Sequence, residues 1–256
     1  MTMRISAFLD YRFPAPADVM VQVEAATLAD QRVRDASLDT GETPVLARIA
    51  ALEGVGERIW LRPADRLTLR YAATVEVARG RPDYRARAAV PLPRLPAEAV
   101  PYLNESRYCP SNRLDAFATE RFGALTGGAK VAAMAEWIAA HFTYAAGISD
   151  AGTTALDSLA LRSGVCRDYA HVLIALARAA EIPARIASAY APHVEPQDFH
   201  AVAEVYLEGG WHLVDPTGMA RANEMALIGV GRDATDISFL TAYGTAELID
   251  QRVTVE

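Results

Sequence analysis

Cys166 opens the stretch SGVCRDYAHVLIALARAAEIPARI, Ser163 to Ile186, and has one counterpart in the 256-residue chain, Cys109. Neither sits in a CxxC pair. From Cys166 onward Tyr169, Val172, Leu173, Leu176, Ala177 and Ala180 recur at helical spacing, which predicts a helix ending before Pro183. With Ser163 or Gly164 as its cap, Cys166 falls in the first turn. Unpaired backbone N–H groups and the helix dipole favour an anion there and offer donors to an oxyanion. The position alone leaves two readings open, a small residue filling a core or a nucleophile.

A cysteine nucleophile needs an imidazole to take its proton and an acceptor to orient that imidazole. His200 begins HAVAEVYLE and Asp215 ends the following WHLVD. A turn at Gly209–Gly210 pairs Glu208 with Trp211 and Glu204 with Asp215. His200 and Asp215 then share a face but stand four residues apart, roughly 13 Å, so a bulge, a bend or a longer loop must close the gap. His212 lies on the opposite face. His171 points away from the thiol within the same helix, His141 fits an apolar helix face, and His193 lies in a loop; all read as structural or solvated. No H-x₃-H, HExxH or CxxC spacing occurs, so no metal and no cofactor is expected.

These residues need a scaffold. The first hundred residues read as β: DVMVQVEA alternates, and RLTLRYAATVEVAR keeps Leu67, Leu69, Tyr71, Ala73, Val75 and Val77 on one parity. GERIWLRPA and QRVRDASLD add further strands, which predicts a β-sandwich. Pro82, Pro91, Pro93, Pro96 and Pro101 then mark a connector, because proline lacks a ladder N–H. The boundary is placed at 105, giving an N-terminal β-sandwich over 1–105 and a second unit over 106–256. In that unit Ser111 is the expected cap of a helix ended by Gly127–Gly128, followed by AKVAAMAEWIAAHFTY as a second helix. Strands return beyond Pro183, making the unit α+β.

A net charge of −7 argues against a nucleic-acid partner. No apolar run reaches the roughly 18 residues needed to cross a bilayer, so no membrane association is expected. The N-terminal MTMRISAFLDYRF reads as a strand rather than a secretion signal, and two cysteines suit a reducing cytoplasm better than a disulfide.

GVCRDYAHVLIALARAAEIPARIASAY followed by FHAVAEVYLEGGWHLVDPTG resembles the core of the bacterial transglutaminase-like proteins. That resemblance implies a papain-like α+β fold and a triad of Cys166 as nucleophile, His200 as base and Asp215 as orienting acid. The N-terminal strands are similar to the β-sandwich that precedes this core in many members, and GRDATDISFLTAYG resembles their C-terminal strand region. Three positions depart from the pattern: Val202 replaces a tryptophan, Ala234 a tyrosine, and a proline near Phe239 is missing. These sites are expected at the cleft or its edge. Tyr144 is a candidate oxyanion donor or cleft-wall residue, Asp168 a charge at the helix N-terminus, and Arg185 with Asp233 a candidate ion pair.

The function expected is cysteine-dependent acyl transfer at a peptide or amide bond of a peptide or protein substrate. Hydrolysis is favoured over protein-glutamine amine transfer, since no D-x-D-x-D-G calcium loop occurs. A non-catalytic peptide-binding module is the rival from another class.

Overall fold

The structure is a computed structural model, described here for residues 1–80 and 83–256. Six strands come first: β1 (Thr2–Arg12), β2 (Asp18–Val21), β3 (Gln31–Asp39), β4 (Ala47–Ala50), β5 (Glu57–Leu61) and β6 (Arg66–Val77). In β6 the predicted period of two holds, with Leu67, Leu69, Tyr71, Ala73, Val75 and Val77 all buried. The connector carries single turns of 3₁₀ helix at Leu92–Arg94 and Val100–Leu103, as proline-rich backbone without ladder donors allows. Pro82 lies outside the described residues.

The remaining elements are α1 (Asp115–Phe122), α2 (Gly127–His141), β7 (Thr143–Tyr144), α3 (Ala155–Leu161), β8 (Ser163–Gly164), α4 (Cys166–Ala179), β9 (Ala184–Tyr190), β10 (His200–Leu207), β11 (Gly210–Val214), β12 (Ala226–Gly231), α5 (Ala234–Ile237), β13 (Leu240–Tyr243) and β14 (Glu247–Val255). Two expected boundaries move. Ser111 belongs to a 3₁₀ turn, and α1 starts at Asp115 after Leu114. Gly127–Gly128 opens α2 instead of closing α1. A Cβ on Gly128 would lie 1.6 Å from the Tyr84 carbonyl, so glycine is required where the connector crosses the helix start.

Among the described residues three four-stranded sheets form, ordered β14-β1-β6-β3, β13-β2-β5-β4 and β11-β10-β9-β12. The first two enclose one apolar core, the sandwich. The third has α4 packed against β9 and β10, with every residue of β9 and β12 buried. Leu240–Tyr243 and Glu247–Val255, grouped by sequence with the second unit, pair instead with β2 and β1 and supply an edge to each sandwich sheet. Buried polar ties lock the halves together. Gln31 of β3 bonds both the N–H and the C=O of Leu227 on β12, and the Tyr190 hydroxyl donates to the Val23 carbonyl.

Candidate active site

The nucleophile candidate is placed by a short parallel pairing. Thr143 and Tyr144 of β7 lie beside Ser163 and Gly164 of β8, which brings Tyr144 next to the start of α4. The cap of α4 is Val165, not Ser163 or Gly164, because those two residues are committed to this pairing. Valine has no side-chain acceptor. Asp168, fully buried, reaches back to accept the Val165 N–H at 2.8 Å, while Arg167 holds the other oxygen of the same carboxylate at 3.2 Å. The N–H groups of Cys166 and Arg167 take no part in this cap. Gly164 is needed here, since a Cβ would sit 2.5 Å from the Asp168 carboxylate. Cys166 is half-buried at the opening of a cleft.

His200 and Asp215 are brought together. Leu207 pairs with Gly210, so Glu208–Gly209 is the turn and Asp215, one residue past the strand, falls level with Val202. Gly209 has a φ of 93°, a conformation glycine adopts without penalty. The offset along the face is therefore two residues, about 7 Å, and not the four that a Gly209–Gly210 turn implies. Side-chain reach closes it: His200 Nε2 lies 2.9 Å from Asp215 Oδ2. The carboxylate is fixed in turn by the Thr217 N–H at 2.9 Å, the Thr217 hydroxyl at 2.7 Å and the Ala220 N–H at 2.9 Å.

The His200 Nδ1 is buried and has no nitrogen or oxygen partner. Burial alone would disfavour a charged imidazole, but hydrogen bonds and charge from Asp215 and Cys166 outweigh it and raise the His200 pKa to about 10. Asp215 behaves conversely. Burial works to raise its pKa, yet His200 and Thr217 hold it below the usual carboxylate range. The Tyr144 hydroxyl sits against the Cys166 backbone N–H and thiol; burial and the sulfur's charge push its pKa up, so it stays protonated and able to donate.

Other expectations resolve differently. Val202 is fully buried, packed with Ala187, Leu213 and Val230, and does not line the cleft. Ala234 and Phe239 do line it. Arg185 pairs with Glu204 at 2.7 Å instead of Asp233, because the two stand opposite each other on adjacent strands. Asp233 accepts the Tyr108 and Thr235 N–H groups. His171 is buried, accepts the Ala234 N–H at 3.1 Å and stacks on Tyr108. His212 is held by the Glu208 carbonyl, and His141 is exposed, stacked on Trp137 rather than buried. Both cysteines are free; burial pushes the Cys109 thiol up to about 12.

The cleft measures about 480 Å³ and runs from Cys166 and His200 to the sandwich, where Gln22 and Leu240 complete its wall. Sequence reasoning missed Gln22 and Phe199. A glutamine on the polar parity of a strand carries no local sign that another sheet will cover it.

Residues 115–216 match the Transglutaminase-like superfamily. A solved structure from Cytophaga hutchinsonii, described as a candidate cysteine protease, is 31% identical and superposes with a TM-score of 0.93 over 100% of this chain and 90% of that one. The periplasmic domain of TgpA from Pseudomonas aeruginosa is 21% identical with a TM-score of 0.45, covering 81% of this chain and 72% of that one. An uncharacterized Mycobacterium leprae protein is 33% identical over 137 residues, 49% of this chain and 48% of that one. The chain thus spans about half the length of the curated relative it matches. The family match and the Cytophaga hutchinsonii structure support cysteine-based catalysis. With a family match over the core and a near-complete structural relative beside it, the chain belongs to the transglutaminase-like superfamily.

Proposed function

We propose that the protein cleaves a peptide or amide bond through a thioester on Cys166. The observation that carries this is the state of His200, whose Nε2 is bound to Asp215 at 2.9 Å while its Nδ1 has no protein nitrogen or oxygen partner beside the thiol. The ring is held as imidazolium, so Nδ1–H faces the sulfur with its proton already in place, and Asp215 keeps the ring in orientation and stabilises its charge. The sulfur attacks the substrate carbonyl carbon. The resulting oxyanion is met by the Cys166 backbone N–H and the Tyr144 hydroxyl. Collapse of the tetrahedral species breaks the C–N bond, and Nδ1–H protonates the departing amine. Water, deprotonated by the same nitrogen, then attacks the thioester; a carboxylic acid leaves and the thiol is restored. Two unpaired cysteines suit a reducing cytoplasm, where we place this chemistry.

The test is mass spectrometry of a glutamine- and amide-containing peptide library incubated with the wild type and with Cys166→Ala, with and without added primary amine. Hydrolysis products that depend on Cys166 are expected. Amine incorporation exceeding hydrolysis would make the enzyme a transferase, and no Cys166-dependent product would leave only a binding module.

A further inference from the structure

The sandwich contributes an unusual group to the cleft. Gln22, just past the end of β2, is 1% exposed, and its Nε2 has no hydrogen-bond partner. Which end of the amide is which follows from its neighbour. Arg58 can only donate, and its Nε lies 3.1 Å from Gln22 Oε1, so the NH₂ end is the one left over. Arg58 is itself anchored, donating to the Asp236 carbonyl at 2.6 Å. Room for the amide is made by Gly229, where a Cβ would fall 1.8 Å from Gln22 Nε2. A buried donor without an acceptor costs about 1–3 kcal/mol, and rotating the amide towards the cleft that Gln22 lines, where an acceptor from outside the protein can meet it, relieves that cost.

The same backbone carries the cleft's aromatic wall. The Gln22 N–H donates to the Phe239 carbonyl at 3.0 Å, and the Phe239 ring stacks on Phe199 with centroids 4.7 Å apart and planes 9° off parallel. Phe199 immediately precedes His200, which sets this wall beside the candidate base. Ile228 and Leu240 extend the apolar lining. Charge offers no comparable signal, because Arg107 and Arg167 share the lining with Asp198, and Arg167 is already engaged by Asp168.

We propose that the cleft selects an extended peptide with a large apolar side chain next to the scissile amide, and that Gln22 is a positioning residue that donates to that peptide's main-chain carbonyl. The proposal rests on cysteine acyl transfer at Cys166 for its substrate, but it is tested by binding as well as by turnover. Cys166→Ala protein is titrated calorimetrically with peptides differing only in Phe, Leu, Asp or Lys at that position. Wild-type, Gln22→Leu and Phe239→Ala proteins are assayed on the same set, each checked for folding by thermal melting.

Binding of the Phe and Leu peptides is expected to be tighter by about tenfold or more. Gln22→Leu should raise KM about tenfold for every peptide with kcat much less affected, a split that mere loss of stability would not give. Phe239→Ala should erase the apolar preference. Turnover with no side-chain preference, or a folded Gln22→Leu protein with wild-type KM, overturns the proposal and leaves acyl transfer standing. Apolar binding without turnover by the wild type does the reverse. Neither binding nor turnover overturns both.

Discussion

Asp215 holds His200 Nε2 at 2.9 Å while its own two oxygens are pinned by Thr217 and Ala220. The acid is thereby rigid before any substrate arrives, and its removal should act on chemistry more than on binding. Asp215→Asn is expected to lower kcat by about 10³-fold or more with a small change in KM, because the amide keeps the contact but not the charge that stabilises imidazolium. Steady-state kinetics check this. A fall of less than tenfold would remove Asp215 from the catalytic set.

Tyr144 should behave differently. Tyr144→Phe removes one donor from the developing oxyanion and leaves the cleft's shape intact. About 10²-fold is expected to be lost from kcat, with KM nearly unchanged. An unaltered kcat would leave Tyr144 a packing residue against Tyr169.

The raised His200 pKa gives stability a definite pH slope. Unfolded histidine titrates near 6.5, and the folded ring holds its proton up to about 10. Below about pH 6.5 both states are protonated and the full contribution is present. Between there and about pH 10 the folded chain alone retains the proton, so stability falls as pH rises. Urea midpoints at pH 6, 7.5 and 9 should decline in that order, and Cys166→Ala should flatten the slope by removing one of the two groups that hold the proton.

The buried pair of Arg185 and Glu204 should be costly to halve. Each side chain is 7% exposed, and the guanidinium lies 4.1 Å from the centre of the Trp211 ring. Glu204→Ala leaves a buried cation unpaired and is expected to destabilise by about 3–5 kcal/mol. Replacing both, as Arg185→Met with Glu204→Leu, should cost far less. Chemical denaturation of the three proteins measures the difference.

Asp168 offers a smaller effect with a clear cause. Asp168→Ala removes the acceptor for the Val165 N–H and leaves Arg167 only its bond to the Asp150 carbonyl, so α4 loses its cap directly under the thiol. A loss of about 1–2 kcal/mol is expected from the unfolding midpoint. Iodoacetamide labelling of Cys166 should slow as well, since the helix start that presents the thiol is no longer held.

What the sequence told, it told through periodicity and local chemistry. The parity that puts His200 and Asp215 on one face is a property of alternation and holds; the register between them depended on which two residues turn, and the turn uses Glu208–Gly209. The helix stripe located α4, but Val165 as its cap has no sequence signature, because the capping oxygen comes from Asp168 three residues on. Val202 was expected at the cleft by comparison with a larger residue, whereas a valine there is small enough to sink into the sheet's packing. Gln22 and the pairing of β13 and β14 with the sandwich were out of reach, since partners more than 200 residues away leave no trace in a local pattern.

That last pairing sets an order of assembly. During synthesis the first strand, Thr2–Arg12, leaves the ribosome long before Glu247–Val255, its neighbour in the finished sheet. Leu240, which closes the far wall of the cleft, emerges only shortly before it. A nascent chain can therefore form its thiol-bearing helix while the groove beside it is still open on one side. The thiol of a chain interrupted before Leu240 would lack that enclosure, so the far wall of the groove is a property conferred by a strand made after the thiol-bearing helix.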